Sequence, residues 1–197
     1  MASPIGHAIA GVLVAWSADV FNPAGPGSRA TKTGFHVLVG GLTLAAAVLA
    51  AAPDLDLLFI RFHRTATHSL PSVAVVAGVA MLAAARLRRP VIRTAIVCAA
   101  AWGSHMLLDW LSVDRSTPNG IQILWPFDST WFISGWDVFP GTERRRLFST
   151  ATIATNAAAV AAELIILAPL AAALGLIRVK SAARFASKLA RGNHAAK

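Results

Sequence analysis

The sequence predicts an all-α integral membrane protein, a bundle of about four to five transmembrane helices. Hydrophobic residues make up 56% of the chain and charged residues 14%, whereas charged residues are ~25% of an average soluble domain. The mean hydropathy is +0.61. Several apolar runs carry no formal charge and approach the ~20 residues that cross a bilayer. We expect one domain in residues 1–177 and a basic tail in residues 178–197.

Apolar runs and the breaks between them define the predicted elements. Helices are expected at residues 5–18, 35–52, 70–85, 91–111 and 147–177. No basic segment precedes the first run, so we expect a retained helix and not a cleaved signal peptide. Proline and glycine predict a loop at residues 19–34, residues 112–146 form a long polar and aromatic connection, and Pro169 predicts a break in the last helix.

The charge distribution favours a membrane orientation over a nucleic-acid surface. The formal charge is +9, but the basic residues cluster in short loops and in the tail. With five spans, twelve basic residues fall on the side of the tail and six on the other side, although three of those six form the run Arg144 to Arg146. The positive-inside rule then predicts a cytoplasmic membrane protein with a cytoplasmic tail, which either lies on an anionic membrane surface or is disordered. Cys98 is alone, which excludes a disulfide framework or thiolate cluster.

Residues 53–69 are unusually polar for a segment between two apolar runs. They contain Asp54, Asp56, His63 and His68. Ionisable residues near membrane segments are costly and usually functional. The orientation above puts this segment on the non-cytoplasmic side, together with His7 and the pair His105 and Asp109. The sequence therefore predicts that these groups converge on a divalent metal site, suited to zinc and also to manganese or iron.

Spacing constrains the role of each candidate ligand. His105 and Asp109 are four residues apart, so they share a helix face at ~6 Å, although alone they would suggest a hydrogen-bonded pair at a helix end. Asp54 and Asp56 either cap a short helix, or one binds metal while the other orients a histidine.

Four further residues have alternative interpretations. His63 and His68 are five apart, so one would ligate while the other acts as acid, base or substrate contact. His7 alone suggests a core histidine, and Gly11 after it suggests close helix packing. Glu163 is expected to face the bundle interior in a paired or uncharged state, with a role in proton transfer as the lesser alternative.

The order of the short motifs SPIGHAIAG, PDLD, HRTATHS, HMLLD and GIQILWPF resembles a family of membrane-bound, metal-dependent hydrolases, also described as LexA-binding, inner-membrane-associated hydrolases. The resemblance covers residues 3–127. By resemblance, seven positions match the shared motifs of that family, namely His7, Asp54, Asp56, His63, His68, His105 and Asp109. The usual glycine-containing HRG is replaced here by His63-Arg64-Thr65.

A more distant likeness is to zinc-dependent phospholipase C enzymes, which also use an aspartate, a later histidine and an HxxxD pair. Those enzymes add an HxxxE element for a further metal, and this sequence contains none. We therefore expect one or two ions and not three.

The predicted function is metal-assisted hydrolysis of a lipid-linked or small phosphoester by activated water. The expected metal ligands are His7, Asp54, Asp56, His68, His105 and Asp109. His63 is the expected acid or base, and Arg64 would hold an anionic substrate group. The alternatives are a non-catalytic, regulatory protein with a structural metal and a small transporter, which the lack of an internal repeat disfavours. No nucleic-acid partner is expected, and the sequence leaves the substrate and the oligomeric state open.

Overall fold

The computed structural model describes residues 1–21, 38–144 and 146–195, without the side chains of residues 60–62, 185, 186 and 188–195. Over these residues the chain is all-helical and contains no strand, which confirms the predicted fold class. Five α-helices are present: α1 Pro4–Phe21, α2 Gly41–Ala51, α3 Leu70–Arg86, α4 Val91–Leu111 and α5 Thr150–Ala195. Two 3₁₀ helices, Ala52–Phe62 and Ala66–His68, connect α2 to α3.

Four helical stretches of the described chain are long and apolar enough to cross a membrane. They are Pro4–Phe21, Gly41–Phe59, Val91–Leu111 and Thr150–Arg184. Helix α3 is apolar but has only 17 residues. Because a straight span needs ~20 residues, α3 is at the lower limit of length. The prediction of about four to five spans agrees with this count.

The first two predicted helices need correction at their ends. Helix α1 continues to Phe21, although a loop was predicted from residue 19. Asp19 is tolerated there because it forms ion pairs with Arg93 and Arg178. Helix α2 begins at Gly41. The remainder of the predicted loop and the first residues of the second predicted helix, residues 22–37, lie outside the described residues.

The prediction of a break at Pro169 is wrong, because α5 runs through this residue and ends at Ala195. Membrane helices tolerate proline where neighbouring groups satisfy the freed backbone carbonyl. The basic segment after residue 177 is therefore helical over its described part, and not disordered. The division of the chain at residue 177 into domain and tail stays a prediction.

Small residues bring α1, α2 and α4 close together. Helix α1 packs on α2, α4 and α5, whereas α3 packs mainly on α4. A Cβ atom at Gly11 would clash with the Ala46 carbonyl oxygen and the Ala50 side chain, which confirms the expected close approach at this glycine. As a result, the start of α1, the end of α2 and the end of α4 meet at one end of the bundle.

Residues near the N-terminus form hydrogen bonds with α4 and α5 at that end of the bundle. The Ala2 N–H donates to Asp109 Oδ1 at 3.1 Å, and the Ser3 N–H donates to Glu163 Oε1 at 2.6 Å. The Ser3 hydroxyl also bonds Glu163, whose side chain is fully buried. Glu163 therefore faces the interior in a paired state, as predicted. These contacts fix α1 relative to α4 and α5.

Candidate metal centre

Four side chains from three elements meet at the end of the bundle where α1 begins and α4 ends. Asp54 lies in the first turn of the 3₁₀ helix that follows α2, His68 ends the second 3₁₀ helix, and His105 and Asp109 lie on α4. One potential ligand atom from each lies within 4.8 Å of all the others. Asp54, His68, His105 and Asp109 are called the four-residue cluster below.

Distances within the four-residue cluster suit a small tetrahedral ion. His105 Nε2 lies 2.9 Å from His68 Nε2, 3.3 Å from Asp109 Oδ2 and 3.8 Å from Asp54 Oδ1. His68 Nε2 lies 3.4 Å from Asp109 Oδ2. Bonds of ~2.0–2.2 Å put neighbouring ligand atoms of a tetrahedral zinc site about 3.4 Å apart. The donor set and its spacing therefore fit one such ion.

The second ring nitrogen of each cluster histidine is held by the protein. His105 Nδ1 donates to the Ala50 carbonyl oxygen at 2.8 Å. His68 Nδ1 lies 2.9 Å from Thr67 Oγ1 and 3.3 Å from Asp56 Oδ2. Metal-binding histidines typically donate this nitrogen to a carbonyl or carboxylate, which leaves the other lone pair for the metal. Both Nε2 atoms are oriented in this way.

Asp56 collects hydrogen-bond donors and does not join the four-residue cluster. It accepts from His63 Nδ1 at 2.5 Å, from the Arg64 N–H at 3.2 Å and from the Thr67 hydroxyl. Asp56, His63 and Thr67 are called the supporting network below. The network contacts the cluster through His68, with which Asp56 and His63 form a second group of possible ligands.

Local backbone geometry separates the two aspartates. Asp54 and Asp56 lie at the start of a short helical segment, as one interpretation of the sequence expected, and residues two apart in a 3₁₀ helix project to different sides. The chain then reverses at Arg64, whose φ is +65°. The reversal brings His63 and His68 to the same carboxylate, with their ring centroids 5.5 Å apart.

His7 lies beside the four-residue cluster. Its ring stacks on His105 at 3.7 Å between centroids, and its Nε2 lies 3.4 Å from Asp109 Oδ1. Among the described residues, neither ring nitrogen of His7 nor Asp109 Oδ2 has a hydrogen-bond partner, although all three atoms are buried. Unsatisfied buried polar atoms are uncommon and costly. A cation in the four-residue cluster would satisfy Asp109 Oδ2, and a second cation held by Asp109 Oδ1 would satisfy His7 Nε2.

Arg144 closes the more accessible side of the centre. Its Nη1 donates to His63 Nε2 at 2.6 Å and its Nη2 to Asp54 Oδ1 at 3.3 Å. The Arg144 side chain is 30% exposed, whereas the cluster side chains are 9% exposed or less. Arg144 was not among the predicted site residues. Its signal in the sequence was the run Arg144 to Arg146, which opposed the positive-inside count.

Arg64 contacts the long connection and not the cluster. Its guanidinium pairs with Asp114, donates to the Gly120 carbonyl oxygen at 3.2 Å and lies 5.4 Å from the Trp131 ring centroid. The expected contact of Arg64 with substrate stays a prediction. Asp114 is a residue that sequence reasoning missed, since nothing in its spacing relates it to Arg64.

Charge is tightly coupled between the cluster and the supporting network. Burial lowers the pKa of His68, but Asp109 and Asp56 outweigh this effect and raise the pKa to about 9. Two aspartates thus favour a proton on a buried imidazole. A divalent cation in the cluster would compete with this proton for His68 Nε2, because only a deprotonated nitrogen can bind a metal.

The sequence model of the YdjM inner membrane protein family matches residues 1–183. The chain belongs to this family. The matched region includes His7, the four-residue cluster and the supporting network. Membership of an inner membrane protein family agrees with the apolar helices, which would contact the lipid bilayer. No curated protein and no solved structure matches the chain.

Proposed function

We propose that this YdjM-family protein is a membrane-embedded, metal-dependent hydrolase that cleaves a phosphoester or related bond in a lipid-linked or small substrate. The observation that supports the proposal is the four-residue cluster, two imidazoles and two carboxylates with ligand atoms within 4.8 Å of one another. Hydrolytic metal sites use these ligand types, and zinc suits them best. Manganese and iron are alternatives.

Our proposed ligands in the catalytic centre are His68, His105 and Asp109, while Asp54, the most distant member of the cluster, would border the fourth position, where water binds. His7 is available to a second ion. A bound divalent ion would lower the pKa of a coordinated water and polarise the phosphoryl or acyl oxygen of the substrate. The protein fixes the geometry through the Ala50 carbonyl and through Asp56, which orient His105 and His68. Asp56 is therefore proposed as an orienting group in place of the ligand role that the sequence suggested.

His63 and Arg144 are the proposed substrate-side groups. The Nδ1 of His63 is fixed by Asp56, so that Nε2 faces Arg144 and the accessible side of the centre. In this position His63 can exchange a proton with water or a leaving group. Arg144 has a partly exposed guanidinium beside Asp54 and is better placed than the buried Arg64 to hold an anionic group.

The side of the membrane is part of the proposal. The four-residue cluster and the arginines at the α3–α4 turn lie at opposite ends of the bundle, and the positive-inside rule assigns the arginine-rich end to the cytoplasm. The centre would then open on the non-cytoplasmic side. Cysteine labelling of Ser116→Cys and Arg86→Cys variants in intact cells and in lysed cells would test this orientation.

A structural metal site is the second candidate function. Four protein ligands around one ion leave no open position, and this closed arrangement is typical of structural zinc. The regulatory role suggested by the LexA-binding description belongs to this alternative. A variant of Asp54 distinguishes the catalytic from the structural function, because Asp54 is the most distant cluster member and also forms an ion pair with Arg144. In a catalytic centre Asp54→Asn would keep metal and lose turnover, whereas in a structural site it would lose metal.

The direct experiment combines metal analysis with a hydrolysis screen on detergent-purified protein. The substrates would be a phosphomonoester, a phosphodiester and phospholipids. Asp109→Asn keeps an oxygen for the Ala2 N–H but removes a ligand charge, so we expect loss of metal and turnover together. Asp128→Asn is the matched control, since Asp128 is exposed in the connection. Metal without turnover on any substrate favours the structural alternative, and wild-type protein without metal refutes both.

A further inference from the structure

A cavity lies between the helices towards the opposite end of the bundle from the four-residue cluster. Its volume is about 870 Å³, and its walls come from most of α2 and α3, the turn between α3 and α4, the first half of α4, the last turns of α1, and α5 at Arg178 and Ala182. Arg93 lines it, twelve residues before His105 on α4, a separation of about 18 Å along a helix. The arginine-lined end of the cavity is therefore distant from the candidate metal centre.

The cavity wall is apolar and faces the surroundings of the bundle. Helices α2 and α3 both pack on α4, but they are not extensively packed on each other in the described chain. The gap between them is lined by Leu42, Leu49, Val75 and Val79, and the Val75 and Val79 side chains are more than 60% exposed. In a membrane this opening faces acyl chains. Its volume falls within the ~300–1,000 Å³ range of ligand pockets.

Arginines concentrate at the polar end of the cavity. The lining contains Arg88, Arg89, Arg93 and Arg178 and a single carboxylate, Asp19. The short turn between α3 and α4 positions the first two, because the Arg88 N–H bonds the Ala85 carbonyl at 3.2 Å and the Arg89 N–H bonds the Ala84 carbonyl at 2.8 Å.

Asp19 does not neutralise this end. It is shared between Arg93 and Arg178. The buried Nε of Arg93 has no hydrogen-bond partner among the described residues. Arg88 and Arg89 are exposed and form no ion pair with a described carboxylate. The cavity therefore combines an apolar wall with two exposed arginines, Arg88 and Arg89, that pair with no described carboxylate.

We propose that this cavity binds an anionic phospholipid. The phosphate would lie at Arg88, Arg89 and Arg93, and the acyl-chain segments nearest the headgroup would lie between α2 and α3. Basic pockets between membrane helices bind anionic headgroups in this way, since the arginines supply charge and planar donors. A free phosphate would satisfy the arginines but not the apolar wall. A zwitterionic lipid would satisfy the wall but would carry a cation towards the arginines. The proposal does not depend on the metal centre.

Lipid retention by the purified full-length chain tests this proposal. Protein in mixed micelles would be offered phosphatidylglycerol or phosphatidylcholine with identical acyl chains, and bound lipid would be counted by native mass spectrometry. We expect preferential retention of phosphatidylglycerol. Arg88→Gln/Arg89→Gln should reduce it about tenfold or more, because each basic group near a headgroup contributes ~1 kcal/mol. The double variant Arg115→Gln/Arg146→Gln makes the same charge change away from the cavity and should retain the lipid.

A second pair of variants tests the cavity itself without changing charge. Val79→Trp fills the opening and should reduce retention, whereas Leu82→Trp changes an exposed position of the same helix that does not line the cavity. Size-exclusion chromatography would confirm that all variants are folded. Equal retention of the two lipids, or equal behaviour of the two arginine double variants, would overturn the proposal. So would equal retention by Val79→Trp and Leu82→Trp.

Discussion

The four-residue cluster and the supporting network both contain aspartate and histidine and meet at His68, but their hydrogen bonding differs. In the network, Asp56 accepts from a hydroxyl, an imidazole and a backbone N–H. In the cluster and beside it, Asp109 Oδ2 and both nitrogens of His7 are buried without a hydrogen-bond partner among the described residues. This difference separates Asp56, a candidate orienting group, from Asp109, a candidate ligand. Residue type alone does not make this distinction.

The largest expected effect comes from His105→Ala. Its Nε2 lies closest to the other cluster atoms and its Nδ1 is already fixed by the Ala50 carbonyl. We expect metal content to fall to background, measured by elemental analysis of detergent-purified protein. Cys98→Ala, a buried position on the same helix near its other end, should keep full metal content. Unchanged metal in His105→Ala would remove the four-residue cluster as the binding site.

His63→Asn should separate turnover from binding. The network fixes His63 through Asp56, but its ring does not enter the cluster. We expect hydrolysis to fall about 100-fold or more, which is the usual loss for a general acid or base, while metal content is unchanged. Parallel metal and rate measurements on one preparation test this expectation. A joint loss of both would move His63 into the set of ligands.

Asp56→Asn should weaken metal binding without abolishing it. Loss of an orienting carboxylate typically reduces metal affinity ~10–100-fold. Competition with a chelator would measure this change, and Thr67→Val provides a milder variant of the same network. Should Asp56→Asn lose metal as completely as His105→Ala, the division between cluster and network would be wrong.

Much of the bundle could be predicted from hydropathy alone. Helix α4 begins and ends where the apolar run does, because its whole length is set by burial in the membrane. Helix α1 extends past its apolar run because Arg93 and Arg178, distant in sequence, neutralise Asp19. The continuation of α5 past Pro169 also depends on tertiary surroundings. Long-range partners of this kind leave no local pattern.

The candidate site shows the same division between local and long-range information. Charge counting placed His7, Asp54, His68, His105 and Asp109 at one end, and the structure brings these residues together. Charge counting did not distinguish Asp54 from Asp56, because both lie in one short segment on the same side of the membrane; the 3₁₀ helix directs them to different sides. Arg144 and Asp114 were missed because both lie in the connection between α4 and α5, far along the chain from their partners His63 and Arg64.

The smallest effect on the metal, and a clear effect on stability, is expected from Asp114→Asn. Asp114 pairs with buried Arg64 and accepts from the Gly120 N–H at 2.7 Å, outside the cluster and the network. Loss of this carboxylate leaves a buried guanidinium without its counterion, which should cost about 1–3 kcal/mol. Thermal unfolding in detergent would show a lower midpoint at neutral pH with unchanged metal content. A loss of metal equal to that of Asp56→Asn would place Asp114 in the supporting network.

The pH dependence of the same variant gives a sharper test. Burial raises the pKa of Asp114, but bonds from Ser116 and Gly120 and the charge of Arg64 outweigh it and hold the pKa below 3.8. Stability from a carboxylate with a lowered pKa is complete above the unfolded value and is lost as pH falls through the folded value. Wild-type protein and Asp114→Asn should therefore differ most above pH 3.8 and converge below it. A gap that stays constant from pH 6 to pH 3 would show that the carboxylate charge contributes nothing, and that Asp114 acts through shape alone.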